Sequence, residues 1–480
     1  GRWQGAETMN RPVTRPAAIA ANPPMRRSDP SIPVLAGALT ATILFVFGVH
    51  WLSAIGVAAF AYYFTRLLQE SGADHPIESF IQVMACIQWN IGPVLAYAGF
   101  SDHYKYHMYV PEPEYMALAV PAVIAMSLGL YAFRPRRRPA LVAHYGQATR
   151  DIVTRYPYLP FYLIGVGFVF SFLVSRFPPS LAFPAYILSN VKYIGLIYLL
   201  FSDRVKGKTL VLVGAFFISF LSSLRGAMFL DLLLWFAFIG MYAAYIMRPS
   251  MAKKLAVVAL GFLFIFILQA AKDEYRAKLE REGRSDYVQK FLSSVDERMR
   301  VEQMRRMDEL AQSNNIERVV VRINQGWIIS RIMQLVPSSI PHADGETIWV
   351  ALKASVLPRL LFPDKPIAGG EVNFEKYTRY YLQTNTSMGI SLLGEAYINF
   401  GLYGAWTFMF LFGLISSFVI RKIFMLAAKY PTIWLWFPLV MLHFVKAETE
   451  LLVQLNFLVK SIILVYLFVW ANKHFLRLKL

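Results

Sequence analysis

The chain has 480 residues, of which 56% are hydrophobic, 15% aromatic and only 16% charged. A soluble domain usually carries about 25% charged residues, and several runs here approach the roughly twenty apolar residues that a helix needs to cross a bilayer. Disordered, collagenous and disulfide-scaffold classes are excluded, and the composition predicts an all-α polytopic membrane protein. The single cysteine, Cys86, lies in an apolar run and can form neither an internal bridge nor a thiolate metal cluster.

Residues 1–31 are polar and rich in Pro and Arg. They read as a cytoplasmic tail, with Met9 as the expected native start. Hydropathy then predicts about twelve spans, at 32–48, 51–66, 78–97, 115–133, 157–175, 183–201, 209–223, 227–247, 255–271, 402–420, 432–447 and 455–471. The first follows basic residues without a small-residue cleavage pattern, so it reads as a retained signal anchor. The expected organisation is a helical bundle over 32–271, a large loop over 272–401, further transmembrane helices over 402–471 and a second tail over 472–480.

Lys and Arg number 23 in the set of alternate connections that includes both tails, and 3 in the short connections between them. Basic residues are retained on the cytoplasmic side. Both termini are therefore expected in the cytoplasm and the large loop outside it. The same asymmetry absorbs most of the formal charge of +18, with Arg134, Arg136, Arg137 and Arg138 expected to meet anionic membrane lipid. A nucleic-acid partner is not needed to explain it.

The loop holds 18 Lys/Arg and 17 Asp/Glu. Residues 272–318 are densely charged with sparse apolar positions and predict exposed helix. Residues 319–401 are aromatic and rich in turn signals. There Val319–Val336 and Thr347–Phe362 have helical spacing, and Trp327 and Trp349 are expected at headgroup level. No internal repeat relates the two halves, which argues against an inverted-repeat transporter.

Ionisable residues within or beside the spans are costly and are functional candidates by default. They are Lys192, Asp231, Lys446, Glu448, Glu450 and Lys460, for which structural ion pairing or snorkelling is the competing reading. Arg225 forms the outer turn Leu224-Arg225-Gly226, where its planar fork suits phosphate, whether of a substrate or of bulk lipid. Arg322, Arg331, Arg359 and Lys365 add cations beside apolar helices of the loop, an arrangement that suits a lipid diphosphate. Glu395, just ahead of the tenth span, is a candidate general base. Alternatively it bonds a local backbone amide or one of the arginines. Walker, dinucleotide and HExxH motifs are absent, and His103 and His107 lack acidic or Cys support, so neither a metal nor a cofactor is expected.

The order of Ser223-Leu224-Arg225-Gly226, Arg322, Leu357-Pro358-Arg359 through Asp364-Lys365-Pro366, and Gly394-Glu395-Ala396-Tyr397 with Asn399-Phe400-Gly401 and Gly404 resembles the Wzy-type O-antigen polymerases. The similarity covers residues 200–420, and Arg359 with Gly370 also satisfies that family's spacing of an Arg, ten residues and a Gly. Related O-antigen ligases carry a His before a small polar residue in the same frame, where this chain has Ile390-Ser391. Oligosaccharyltransferase-like enzymes place acids in the first outer loop, which here is little more than Val49, His50 and Trp51.

The resemblance implies a GT-C-type glycosyltransferase of the bacterial inner membrane, working on undecaprenyl-diphosphate-linked oligosaccharides without nucleotide sugar, metal or other cofactor. It implies catalytic roles for Arg359, Arg322 and Glu395. It further implies substrate contact by Arg225, Arg331, Lys365, Lys192 and Tyr397, with Tyr380 and Tyr381 as further rings for sugar stacking. Residues 272–318 would act as a lid or bind a chain-length regulator. The alternatives are an O-antigen ligase and a lipid-linked oligosaccharide flippase whose path is lined by Lys192, Asp231, Lys446, Glu448 and Glu450.

Overall fold

The computed structural model describes residues 29–476 except 102, 136–137, 227–228, 284–285, 306–312, 358–361, 363–364, 367–369 and 383–387. In lipid the backbone must satisfy its own hydrogen bonds, so apolar runs become helices. In chain order these are α1 (Ser31–Val46), α2 (Trp51–Glu70), α3 (Ile77–Phe100), α4 (Glu112–Tyr131), α5 (Arg138–Arg155), α6 (Leu159–Leu173), α7 (Leu181–Leu200), α8 (Lys208–Gly226), α9 (Leu230–Met247) and α10 (Met251–Glu282). The loop contributes α11 (Tyr287–Arg305), α12 (Ser313–Ile323), α13 (Gly326–Leu335), α14 (Glu346–Val356) and α15 (Glu371–Thr378). Then come α16 (Leu392–Lys429), a 3-10 segment (Pro431–Trp436) leading into α17 (Phe437–Met441), and α18 (Leu451–Ala471). Among the described residues nine helices are long and apolar enough to cross a membrane, or ten if α5 and α6, bent by 87°, make one span. The protein is an all-α, multi-pass membrane protein.

The expected spans fall on apolar helical segments, with three departures. The first is a helix of only 16 residues. The fifth, α6, has 15 residues and continues the bent α5. The eleventh, expected over 432–447, is not a continuous helix: a 3-10 segment and the five-residue α17 give way to turns that reach Glu450. Pro431 and Pro438 lack the amide hydrogens a regular helix would use. Irregular backbone at membrane depth is tolerated when protein surrounds it, and Thr432 through Ala447 are all buried. The carbonyl of Trp434 accepts from Tyr242 Oη (2.6 Å), and its Nε1 donates to Thr149 Oγ1 (2.9 Å).

Membrane and loop helices also run together. Helix α10 has 32 residues, about 48 Å at 1.5 Å each, so it continues well beyond a core of roughly 30 Å. Its far end and α11 pack over the α8–α9 turn through Leu224, Phe229, Leu268, Tyr275, Leu279 and Phe291. Trp327, expected at headgroup level, is instead 3% exposed, because Tyr106, Phe374 and Tyr380 surround it. Trp349 remains exposed on α14, which packs along α18.

The basic end of the bundle departs from expectation as well. Arg134 and Arg138 turn inward rather than toward lipid. Arg134 Nη2 lies 2.9 Å from Glu70 Oε1 and 2.8 Å from Asp74 Oδ2, while Arg138 pairs with Glu78 and Asp74 and donates to the His75 carbonyl. Burial pushes the Asp74 carboxyl up, but Arg138 and Arg134 together hold it below the usual carboxylate range. Burial and Arg138 push His75 down to about 3, so it stays neutral.

Helices α4 and α16 pack backbone against backbone. A Cβ on Gly129 would overlap the Phe410 carbonyl, and one on Gly413 would overlap the Met126 carbonyl. Small residues allow such approach where no hydrophobic effect drives helices together. Gly413→Val should therefore destabilise the protein by about 1–3 kcal/mol, read as a lower unfolding temperature in detergent. Gly261→Ala, with open space around the new Cβ, should leave that temperature unchanged or raise it, by up to about 1 kcal/mol.

Candidate functional site

Ser391 ends the loop with φ +64° and ψ 150°, a region that a residue with a side chain rarely occupies. Two bonds hold it there: Oγ accepts from Trp89 Nε1 (2.9 Å) and donates to the Ala447 carbonyl (2.7 Å). One turn later, Glu395 lies in the first turn of α16, where the helix dipole favours an acid. It is 1% exposed. Oε1 accepts from the Thr347 hydroxyl (2.9 Å) and Oε2 from the Leu451 amide (2.7 Å). The competing reading, a bond to a local backbone amide or to an arginine, is met only in kind: the partner is a backbone amide, but one from another helix, joined by a hydroxyl.

The preceding residue, Glu450, supplies a second carboxylate, within electrostatic reach of the first. Its Oε2 accepts from Asn373 Nδ2 (2.9 Å). Asn399, one turn below Glu395, donates to Thr347 Oγ1 (2.7 Å) and the Glu395 carbonyl (2.8 Å) and accepts from the Gly345 amide (3.0 Å). Elements α3, α14, α15, α16 and the turns before α18 thus meet at one buried carboxylate pair.

The same turns build a second cluster. Lys446 Nζ lies 2.5 Å from Asp231 Oδ1 at the start of α9, and Tyr186 donates to the same carboxylate. Pairing is what the structure shows for these two. Lys192 is buried and donates to Ser171 Oγ (2.7 Å) and the Ser189 carbonyl (3.0 Å). Neither nitrogen of the buried His443 ring has a hydrogen-bond partner among the described residues. The Thr449 hydroxyl, donating to the Lys446 carbonyl (2.9 Å), ties this cluster to the carboxylate pair.

The predicted cations do not converge on one point. Arg225 and Arg322 are exposed in the last turns of α8 and α12. Arg331 is half-buried, donating to the Thr378 carbonyl (3.2 Å) and Gln334 (2.5 Å). Lys365 donates to the Leu357 carbonyl (3.1 Å), and Tyr397 to the Val336 carbonyl (3.4 Å). Arg359 lies outside the described residues. Among the described residues no group of three His, Cys, Asp or Glu is placed to hold a metal. His103 stacks with Tyr104 and Tyr106, and His107 packs on Tyr109.

Sequence reasoning named Glu450 among the span-edge ionisable candidates and Asn399 in the motif after Glu395 but set neither beside Glu395, and it missed Thr347, Asn373 and Trp89. Asn399 was detectable, being four residues after Glu395 on one helix face. Trp89 was not, because it stands 302 residues from Ser391. In comparison with known proteins, the chain matches no family model, no curated protein and no solved structure.

Glu395→Gln keeps one acceptor oxygen and loses the other. The Leu451 amide or the Thr347 hydroxyl is then left buried and unpaired, which costs about 1–3 kcal/mol. The variant should unfold at a lower temperature in detergent yet remain folded, and a circular-dichroism melt would check this.

Proposed function

We propose that the chain polymerises oligosaccharide repeat units carried on undecaprenyl diphosphate, at the outer face of a bacterial inner membrane. In this reaction the bond between the anomeric carbon and the diphosphate oxygen breaks. The acceptor hydroxyl oxygen bonds to that carbon, its proton passes to a base, and the lipid diphosphate leaves with the electron pair.

The observation that carries this reading is the buried Glu395–Glu450 pair, one helical turn past the strained Ser391. Two adjacent carboxyls can divide acid and base roles, and Glu450 is the member reached from the turns before α18. Since both are covered, acceptor binding has to open a contact, that of Thr347 on Glu395 or of Asn373 on Glu450. Arg225, Arg322, Arg331, Arg359 and Lys365, which do not converge, are assigned between the two lipid diphosphates, those of donor and acceptor; donors fixed at the leaving group lower the barrier by stabilising its charge.

A second reading, transport of a lipid-linked oligosaccharide, is favoured by the interior cluster of Lys192, Asp231, Lys446 and His443, whose ring nitrogens have no hydrogen-bond partner among the described residues. Charged groups inside membranes commonly mark substrate paths.

Purified protein incubated with a lipid-diphosphate-linked repeat unit, without nucleotide sugar or metal, should yield a ladder spaced by one repeat on a gel. Arg359→Ala and Glu450→Gln should each reduce ladder formation by about 100-fold or more. Absence of a ladder from folded wild-type protein given its own host's substrate would overturn the reading. Long polymer retained in an Arg359→Ala strain but lost in a Lys192→Ala strain would favour transport.

A further inference from the structure

The short connection between α3 and α4 meets α13 and the segment after α15 in a cluster of rings and cations, of which the proposed chemistry uses Arg331 alone. His103 Nδ1 accepts from the amides of Lys105 (3.1 Å) and Tyr106 (3.3 Å), which folds the turn. Tyr104, 85% exposed, stacks on the His103 ring at 4.8 Å, and Tyr106 packs on the buried Trp327 at 4.8 Å. The hydroxyls of Tyr109 and Tyr380 bond at 2.6 Å, and the Tyr109 amide donates to Ser330 Oγ (3.1 Å). Lys105 Nζ lies 4.8 Å from the Tyr380 ring centroid, and the Arg331 guanidinium lies 5.0 Å from that of Tyr109 and 5.3 Å from that of Tyr380. Among the described residues no carboxylate pairs with Lys105 or Arg331.

We propose that Tyr104, Lys105, Tyr106, Tyr109, Arg331 and Tyr380 form a platform that binds an acidic glycan, one whose sugars carry carboxylate groups. Aromatic faces offer flat apolar area that the C–H face of a pyranose can cover. Among the described residues the two cations lack an acidic partner, and a sugar carboxylate supplies one through charge-assisted bonds. Rings fixed by hydrogen bonds and stacking lose little freedom on binding, which distinguishes this cluster from single interfacial tyrosines scattered around a span. The inference deepens the polymerase reading and rests on it for the natural ligand, the repeat unit, but binding needs neither lipid nor turnover.

The test uses the full chain in detergent and saturation-transfer NMR, with a short oligogalacturonate and a maltooligosaccharide of equal length as probes. The acidic probe should bind at least about fivefold more tightly, with the preference falling as salt rises. Tyr104→Ala, at an exposed site, should weaken both probes, and Lys105→Ala should remove the preference. Equal affinity for the two probes in wild type overturns the proposal. So does binding of neither probe alongside Lys105-dependent binding to anionic lipid vesicles, which would make the cluster a membrane anchor. Intact acidic-probe binding in a protein that forms no ladder sinks the polymerase reading and leaves the platform standing.

Discussion

Backbone that leaves a regular helix at membrane depth has to find its hydrogen-bond partners in protein, and the segment Pro431–Glu450 organises this molecule around that need. Its basic-end half is held by Tyr242 and Thr149, from helices α9 and α5. At its other end, Lys446 meets Asp231, the Ala447 carbonyl takes the Ser391 hydroxyl, and the Leu451 amide is taken by Glu395. A regular helix there would present side chains alone. The broken one also presents carbonyls and an amide, and these fix the head of α16.

The large loop is consequently part of the bundle rather than a cap upon it. The Gln325 amide donates to the Gln88 carbonyl (3.1 Å), in a π-helical turn of α3 that leaves that carbonyl free to accept. Gly92 lies so close to the Ile323–Asn324 backbone that any Cβ would overlap it. Trp89, in the same turn, braces Ser391. The π-turn, the loop helices that meet it and the α16 head therefore pack together beside the carboxylate pair.

Charge is arranged differently at the two ends. At the basic end, three acids (Glu70, Asp74 and Glu78) interlock with Arg134 and Arg138, a network in which each ion sits against an opposite charge. At the loop end, acids pair with polar amides and hydroxyls, Arg225 and Arg322 face outward, and Arg331 lies among tyrosine rings.

Helical class, the multi-pass character and the approximate position of nearly every apolar segment were determined by the sequence itself, because lipid demands long uncharged runs and those runs are visible as composition. The Glu395 stretch at the head of a membrane helix was legible for the same reason. Tertiary structure alone decided that the segment around Trp434 breaks its helix, that Trp327 and Arg138 turn inward, and that Glu450 joins Glu395. Each of these depends on partners far away in the chain: Thr149 for Trp434, Tyr106 for Trp327, Glu78 for Arg138 and Asn373 for Glu450. A one-dimensional pattern records which residues prefer lipid or water, but a buried polar group is stabilised by a specific distant partner, and only packing brings the two together.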